Sequence, residues 1–275
     1  MSASRRFSLA YLSACHCTAA EAIRVAGQTG YAAVGLRLLP NGAAGPHQPL
    51  IDDAAALREA LAAQRDTGVA VLDLEIVRIG ESFDARAFRP LFETGAALGA
   101  RHVLVAADDP DRTRLAESYA RLCEAMQPFG LTADLEFMPW TEVPDARAAV
   151  AVIERAGRPA NAGVLVDALH VGRSATTLAD LRAIPRDWLH YAQICDASTP
   201  AQHGRAFTTD ELIHTARCER LLPGEGGIDL PGIFAALPGT LPISVEVVHL
   251  KRMAECSAPD WAARCLAASE AYFSF

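Results

Sequence analysis

Ala26-Gly27-Gln28-Thr29-Gly30-Tyr31-Ala32-Ala33-Val34 is the stretch that reads most directly as architecture. An Ala-rich helical run ends there, Gly30 stands where a left-handed cap is expected, and a β-rich run begins at Ala33. The same order recurs with Gly68, Gly99 and Gly130. A helix that carries the chain back before each new strand is the crossover that parallel strands require. The β-rich runs fall at Phe7–Leu12, Ala33–Leu38, Val69–Ile76, His102–Ala106, Leu131–Phe137, Gly163–Asp167, Leu189–Cys195 and Pro242–Val247.

Helical periodicity fills the spaces, at Thr18–Gln28, Asp52–Thr67, Asp84–Leu98, Arg112–Phe129, Pro144–Ala156 and Thr177–Ala183. Thr18 with Glu21 reads as a capping box, and Pro144 suits a first helical position. Eight strand–helix units favour a closed (β/α)8 TIM barrel, a single α/β domain over residues 1–275, over an open sheet. The length of 275 residues agrees, since such barrels need about 250. No Gly-x-Gly-x-x-Gly follows a strand, which weighs against a dinucleotide fold. The connection from Asp196 to Leu241 is far longer than an ordinary barrel loop and therefore reads as functional.

Hydrophobic residues make up 51% and charged residues 21%, enough apolar surface for a sizeable core. The net charge of -8 gives no electrostatic reason to attract nucleic acid or an anionic membrane. A small-molecule partner is expected, with homo-oligomerisation left open. The seven cysteines are odd in number and irregularly spaced, so a reducing, cytoplasmic setting fits better than a disulfide framework. Cys15-His16-Cys17 lacks a second pair at zinc spacing. Arg5-Arg6 before an apolar stretch, and Leu12-Ser13-Ala14-Cys15 after it, look like an export signal with a cleavage box. Cleavage there would remove one strand of eight, so a buried first strand is the preferred reading. No apolar run approaches the ~20 residues of a membrane span.

In a barrel of this kind the active site lies at the C-terminal ends of the strands. Strand five ends in Glu136, strand six in Asp167, strand seven carries Gln193 and strand eight Glu246, each within an apolar run. Ionised carboxylates are costly to bury without a partner. No Arg or Lys occurs within strands five to eight, so a divalent metal is the expected partner. Three carboxylates and an amide oxygen form an all-oxygen set, which suits Mg²⁺ or Mn²⁺.

Glu136, Asp167-Ala-Leu-His170, Gln193-Ile-Cys-Asp196, Arg220-Leu-Leu-Pro-Gly-Glu-Gly226 and Glu246 together resemble the xylose isomerase-like barrel superfamily, over essentially the whole chain. The resemblance implies one divalent metal ion on Glu136, Asp167, Gln193 and Glu246. It also implies proton transfer by Glu136 and Glu246, and substrate contact by His170. Many members carry His where this chain has Gln193. Gln at that step is similar to bacterial 3-dehydroshikimate dehydratases, in which an arginine before a Pro-Gly-x-Gly turn, here Arg220, binds a substrate carboxylate.

The expected activity is a metal-dependent isomerase or epimerase acting on a small polyhydroxylated carbonyl compound (a sugar, keto-acid or cyclitol) through an enediolate. The alternative is a dehydratase of the 3-dehydroshikimate or inosose type. Arg220 either enters the pocket or pairs with Glu219 or Glu225. Glu75 either touches substrate or pairs with Arg37, and His16 is a candidate to reach the pocket from strand one. Arg173 reads as capping a loop, Cys195 as core, and Gly224-Glu225-Gly226-Gly227 as a tight turn that positions Arg220.

Overall fold

Helix ends set the rhythm of the chain. Thr18 accepts from the Glu21 amide while Glu21 reaches back to Thr18, so the first helix opens on a reciprocal cap. It closes on Gly30 at φ 95°, in the left-handed region that lets the backbone turn into the next strand. Gly68, Gly99 and Gly130 repeat the device. Pro144 lies outside its expected place: Asp145 is the cap of the fifth helix, so the proline precedes the cap.

The computed structural model describes residues 6–42 and 45–273; Arg5 of the export reading lies outside them. The strands are β1 (Phe7–Leu9), β2 (Ala33–Arg37), β3 (Ala70–Ile79), β4 (His102–Ala107), β5 (Thr132–Glu136), β6 (Ala162–Asp167), β7 (Ala192–Ile194) and β8 (Ile243–Val245). Each pairs in parallel with the next, and β8 returns to β1, which closes the barrel. The family of eight is the one read from the sequence, with different lengths. β3 runs on past Ile76 to Ile79, while β1, β7 and β8 are three residues each.

The outer ring is α1 (Ala19–Thr29), α2 (Ala54–Thr67), α3 (Arg89–Leu98), α4 (Arg112–Met126), α5 (Ala146–Arg155), α6 (Ala168–Arg173), α7 (Leu178–Ala183), α8 (Pro200–His203), α9 (Thr209–Cys218), α10 (Leu230–Ala236), α11 (Leu250–Met253) and α12 (Ala258–Ala271). The expected helix over 84–98 is split into a tight turn, Ala85–Phe88, and α3, because Pro90 needs the free amide position of a helix start. None of the described helices is long and apolar enough to cross a membrane.

Strand alternation separates two apolar layers. Val103, Val105 and Ala107 of β4 join the large core between barrel and helices. Leu104 and Ala106 instead join Ile76, Met138, Leu165 and Tyr191 in a small cluster of their own inside the barrel. The Leu12–Cys15 segment follows β1 as a tight turn, and Ser13 Oγ bonds the Val245 carbonyl (2.8 Å) and the Val247 amide (2.7 Å). That single hydroxyl ties the end of β1 to β8 beside the barrel mouth.

The N-terminal end of the barrel is polar. Asp134 is fully buried, with Oδ1 2.6 Å from His190 Nδ1 and Oδ2 accepting from Thr132 Oγ1 at 2.5 Å. The His102 and His190 rings stack at 5.5 Å. Gly163 makes room for this pair, because a Cβ there would overlap both Asp134 Oδ1 and the His190 ring. Burial works against the charge of Asp134, yet the hydrogen bonds from His102 and His190 hold its carboxyl well below the ordinary range. Burial likewise opposes a charged His190, and Asp134 still raises it above its ordinary value.

Gly163→Ala is expected to destabilise the fold by about 2 kcal/mol through overpacking, read as a lower urea midpoint; an unchanged midpoint would contradict the crowding. The same pair sets a pH window. A depressed Asp134 contributes stability that is present above its unfolded value near ~3.9 and lost as pH falls below it. A raised His190 contributes stability that is present below ~6.5 and lost as pH rises through its folded value. The stability difference between the wild type and His190→Ala should therefore be largest between about pH 4 and 6.5 and shrink on both sides.

Candidate active site

Four adjacent strands each deliver one polar group to the C-terminal mouth. Glu136 is the last residue of β5, and Asp167 the last of β6. Gln193 of β7 is in register with Asp167, and the Glu246 amide donates to the Ile194 carbonyl at 3.1 Å, just past β8. All four side chains are buried. Asp167 Oδ1 also accepts from the Leu169 amide at 2.7 Å, so the carboxylate that ends the strand also caps α6. One turn into α6, His170 places Nε2 3.6 Å from Glu136 and 3.9 Å from Asp167. Single ligand atoms of Glu136, Asp167 and His170 all lie within 4.8 Å of one another.

The cation among these acids is one that no strand could supply. Arg220, from the long connection, sends Nη1 to Asp167 Oδ2 (2.6 Å) and Nη2 to Glu246 Oε2 (2.7 Å), while its Nε bonds the Ala216 carbonyl (2.9 Å). Strand composition alone does not reveal this buried ion pair, because its cation comes from outside the strands. Of the two expected fates of Arg220 the structure takes the first: it enters the pocket, where the pocket's own carboxylates take its guanidinium. Glu219 instead meets His214, and Glu225 meets Arg252.

Backbone pairing fixes the arginine. Asp196 and Leu221 form a bridge, as do Glu219 and His249, so the chain on both sides of Arg220 is stitched to the mouth. The Asp196 carboxylate accepts from the amides of Ala197, Gly224, Gly226 and Ile228 at 2.8–3.1 Å. It thereby holds the glycine turn as a positioning device. Cys195 is buried, with Sγ 3.3 Å from Arg220 Nη1.

The electrostatics divide the acids. Burial pushes Glu136 well above the ordinary carboxylate range, with the Asp167 charge adding to it. Glu246 is raised in the same way by burial, and Arg220 only partly offsets it. Asp167 is buried too, yet Arg220 and His170 bring it below its ordinary value. Burial lowers His170 to about 4, so its imidazole is neutral near pH 7. Its ring is held edge-on by Trp140 at 5.1 Å.

The donor set fits a divalent cation. Gln193 is fully buried with neither amide atom in a hydrogen bond, a state that Asp73, Ser8, Tyr191 and Ser244 share among the described residues and that buried polar groups rarely keep without a partner. An oxygen ligand to a cation is a role that would satisfy it. Glu136, Asp167 and Glu246 would complete an oxygen set with Gln193, beside the nitrogen of His170.

Above these groups lies a cavity of about 370 Å³, lined by Glu136, Glu246, His170 and Arg220 together with apolar Ile76, Leu104, Met138 and Trp140. Glu75 pairs with Arg37 at 2.7 Å, the second of its two readings, and it also lines the cavity. His16 does not line it. It is exposed and borders a separate hollow at the start of α1 with Cys15, Cys17 and His47. Arg173 stacks on Phe207 at 3.4 Å, tying α6 to the long connection. Arg78 and Arg217 also line the cavity. Arg78 falls beyond Ile76, where the β-rich run ends in sequence, and Arg217 lies in the connection, where no strand pattern marks it.

The family model described as xylose isomerase-like TIM barrel matches residues 23–266. No curated protein matches the chain in sequence. Among solved structures, the IolI protein with a bound zinc atom superposes with a TM-score of 0.77 at 18% identity, over 98% of this chain and 100% of that one. The probable 3-DHS dehydratase AsbF of Bacillus anthracis gives a TM-score of 0.72 at 14% identity, covering 96% and 98%. D-allulose 3-epimerase from Methylomonas sp., in complex with D-allulose, gives 0.67 at 17%, covering 98% and 97%. At these identities the likeness is one of fold.

Arg220→Ala removes a positive charge from between two carboxylates that a divalent cation would also bind. It is expected to tighten Mn²⁺ binding at least about tenfold, measured by calorimetry. Weaker binding in the variant would mean that Arg220 orients the ligands and does not compete with the ion.

Proposed function

The chain belongs to the xylose isomerase-like TIM barrel family, and on that premise we propose that it is a divalent-metal-dependent isomerase or epimerase of a small polyhydroxylated carbonyl compound. The observation that carries this reading is the placement of two buried carboxyls, Glu136 and Glu246, whose proton affinity burial raises, in one cavity with a neutral His170. Carboxylates with raised proton affinity are suited to take a proton from carbon and return it near neutral pH.

Glu136, Asp167, Gln193 and Glu246 would hold the cation, and their oxygen atoms suit Mg²⁺ or Mn²⁺. Bound there, it would polarise the substrate carbonyl and adjacent hydroxyl and so acidify the neighbouring C–H bond. The remaining work belongs to the protein. Glu246 accepts the proton on one side of the substrate and keeps it, and Glu136 donates a proton of its own to the adjacent carbon or to the opposite face, the two carboxyls resetting by exchange with solvent. Neutral His170, fixed by Trp140, hydrogen-bonds a substrate hydroxyl. Ile76, Leu104, Met138 and Trp140 exclude water from the reacting carbons.

A dehydratase is the second reading, favoured by the glutamine at position 193, where the resemblance to dehydroshikimate dehydratases lies. The two readings share the first proton removal and differ in what leaves next. A panel of ketoses, inososes and dehydroshikimate separates them. Isomerase or epimerase activity appears as sugar exchange with solvent deuterium uptake at carbon, and lyase activity as new ultraviolet absorbance. Glu246→Gln should keep the fold and some metal but lose about a thousandfold or more in kcat, within the range that acid–base groups contribute. Unchanged turnover would remove Glu246 from the chemistry.

A further inference from the structure

In a chain of net charge -8, the wall of the cavity is rich in arginine: Arg37, Arg78, Arg217 and Arg220 face Glu75, Glu136 and Glu246. Three of the four are matched by acids. Arg220 is held by Asp167 and Glu246, Arg37 by Glu75, and Arg78 by Asp108 with Asn41 Oδ1 at 3.2 Å. Arg37 is further fixed over the Tyr11 ring at 4.4 Å. Arg217 is different. It stands near the end of α9, three residues before Arg220, and has no carboxylate within ion-pair distance among the described residues. Partial burial makes its charge harder to keep, and the like charges of Arg78 and Arg37 add to that cost.

An arginine at a cavity wall with two further guanidiniums nearby and no acid of its own is an arrangement relieved by an anion. The same cavity also holds the carboxyls of Glu136 and Glu246, which would handle the carbonyl and hydroxyls. We propose that Arg217, with Arg78 beside it, receives a terminal oxyanion of the substrate, so that the substrate is a hydroxylated carbonyl compound carrying a phosphate or a carboxylate. This rests on the isomerase reading for the carbonyl end only. The anion end stands on Arg217 itself. It also moves the anion clamp from Arg220, whose guanidinium is taken by Asp167 and Glu246, to a residue one helical turn earlier.

The test is calorimetric titration of the wild-type protein with inorganic phosphate and, separately, with malonate as a carboxylate probe. Each is run with Mn²⁺ present and again after chelation. The expected result is millimolar binding of at least one probe that survives chelation and weakens at least tenfold in Arg217→Ala. It should be unaffected in Arg65→Ala, a surface control, and retained in Glu246→Gln. Preference for phosphate or for malonate assigns the group. Binding that disappears on chelation and ignores Arg217→Ala would place the anion on the metal and overturn the proposal. So would no binding of either probe, or equal loss in Arg65→Ala. Because Glu246→Gln keeps the anion end, failure of the isomerase reading would show as absent turnover with phosphate or malonate binding intact. Once a substrate is in hand, Arg217→Ala should raise KM with little change in kcat, and Arg217→Lys should recover part of the loss.

Discussion

Glu136, Asp167 and Glu246 are brought by parallel strands to the same end of an apolar cylinder, and their mutual repulsion is the constraint on which the mouth of this barrel depends. Ionised carboxylates in such a place need a cation or a proton. The structure uses both. Arg220 bridges Asp167 and Glu246, while Glu136 and Glu246 hold protons more tightly than an exposed carboxyl. The long connection makes sense in this light. Its bridges to Asp196 and His249, and the four amides gathered by the Asp196 carboxylate, all serve to place one guanidinium.

The other end of the barrel solves a similar problem with different chemistry. Asp134 lies on the same face of β5 as Glu136, two residues earlier, and so also points inward. It is satisfied locally by His190, Thr132 and His102, at the expense of a side chain at Gly163. One carboxylate of β5 is thus kept ionised by fixed partners, and the next is left in a cavity with its proton affinity raised. The difference lies in the partners around each residue and not in burial, which both share.

That contrast also orders the cavity. Acids, a neutral imidazole and four arginines line it together, and three of those arginines are taken by the acids beside them, which leaves Arg217 for a ligand. Family membership fixes the fold.

Much was legible from residues alone. Glycine caps and strand-like runs announced eight parallel units, because those signals are local: a left-handed φ needs glycine, and alternation needs only neighbours. Glu136, Asp167, Gln193 and Glu246 stood out for the same reason, as polar residues where apolar ones were due. Strand ends were less legible. β3 continues through Val77-Arg78-Ile79 because pairing with β4 extends it, and that is a long-range fact. The exclusion of His16 from the cavity, the pairing of Glu75 with Arg37 and the seat of Arg220 between Asp167 and Glu246 were decided only by the tertiary structure. Each depends on the distance between residues far apart in the chain, and for Arg220 that means 53 positions from Asp167. Sequence pattern shows which side of a strand a residue faces; which charge it meets there is set by barrel closure, once every strand has been placed.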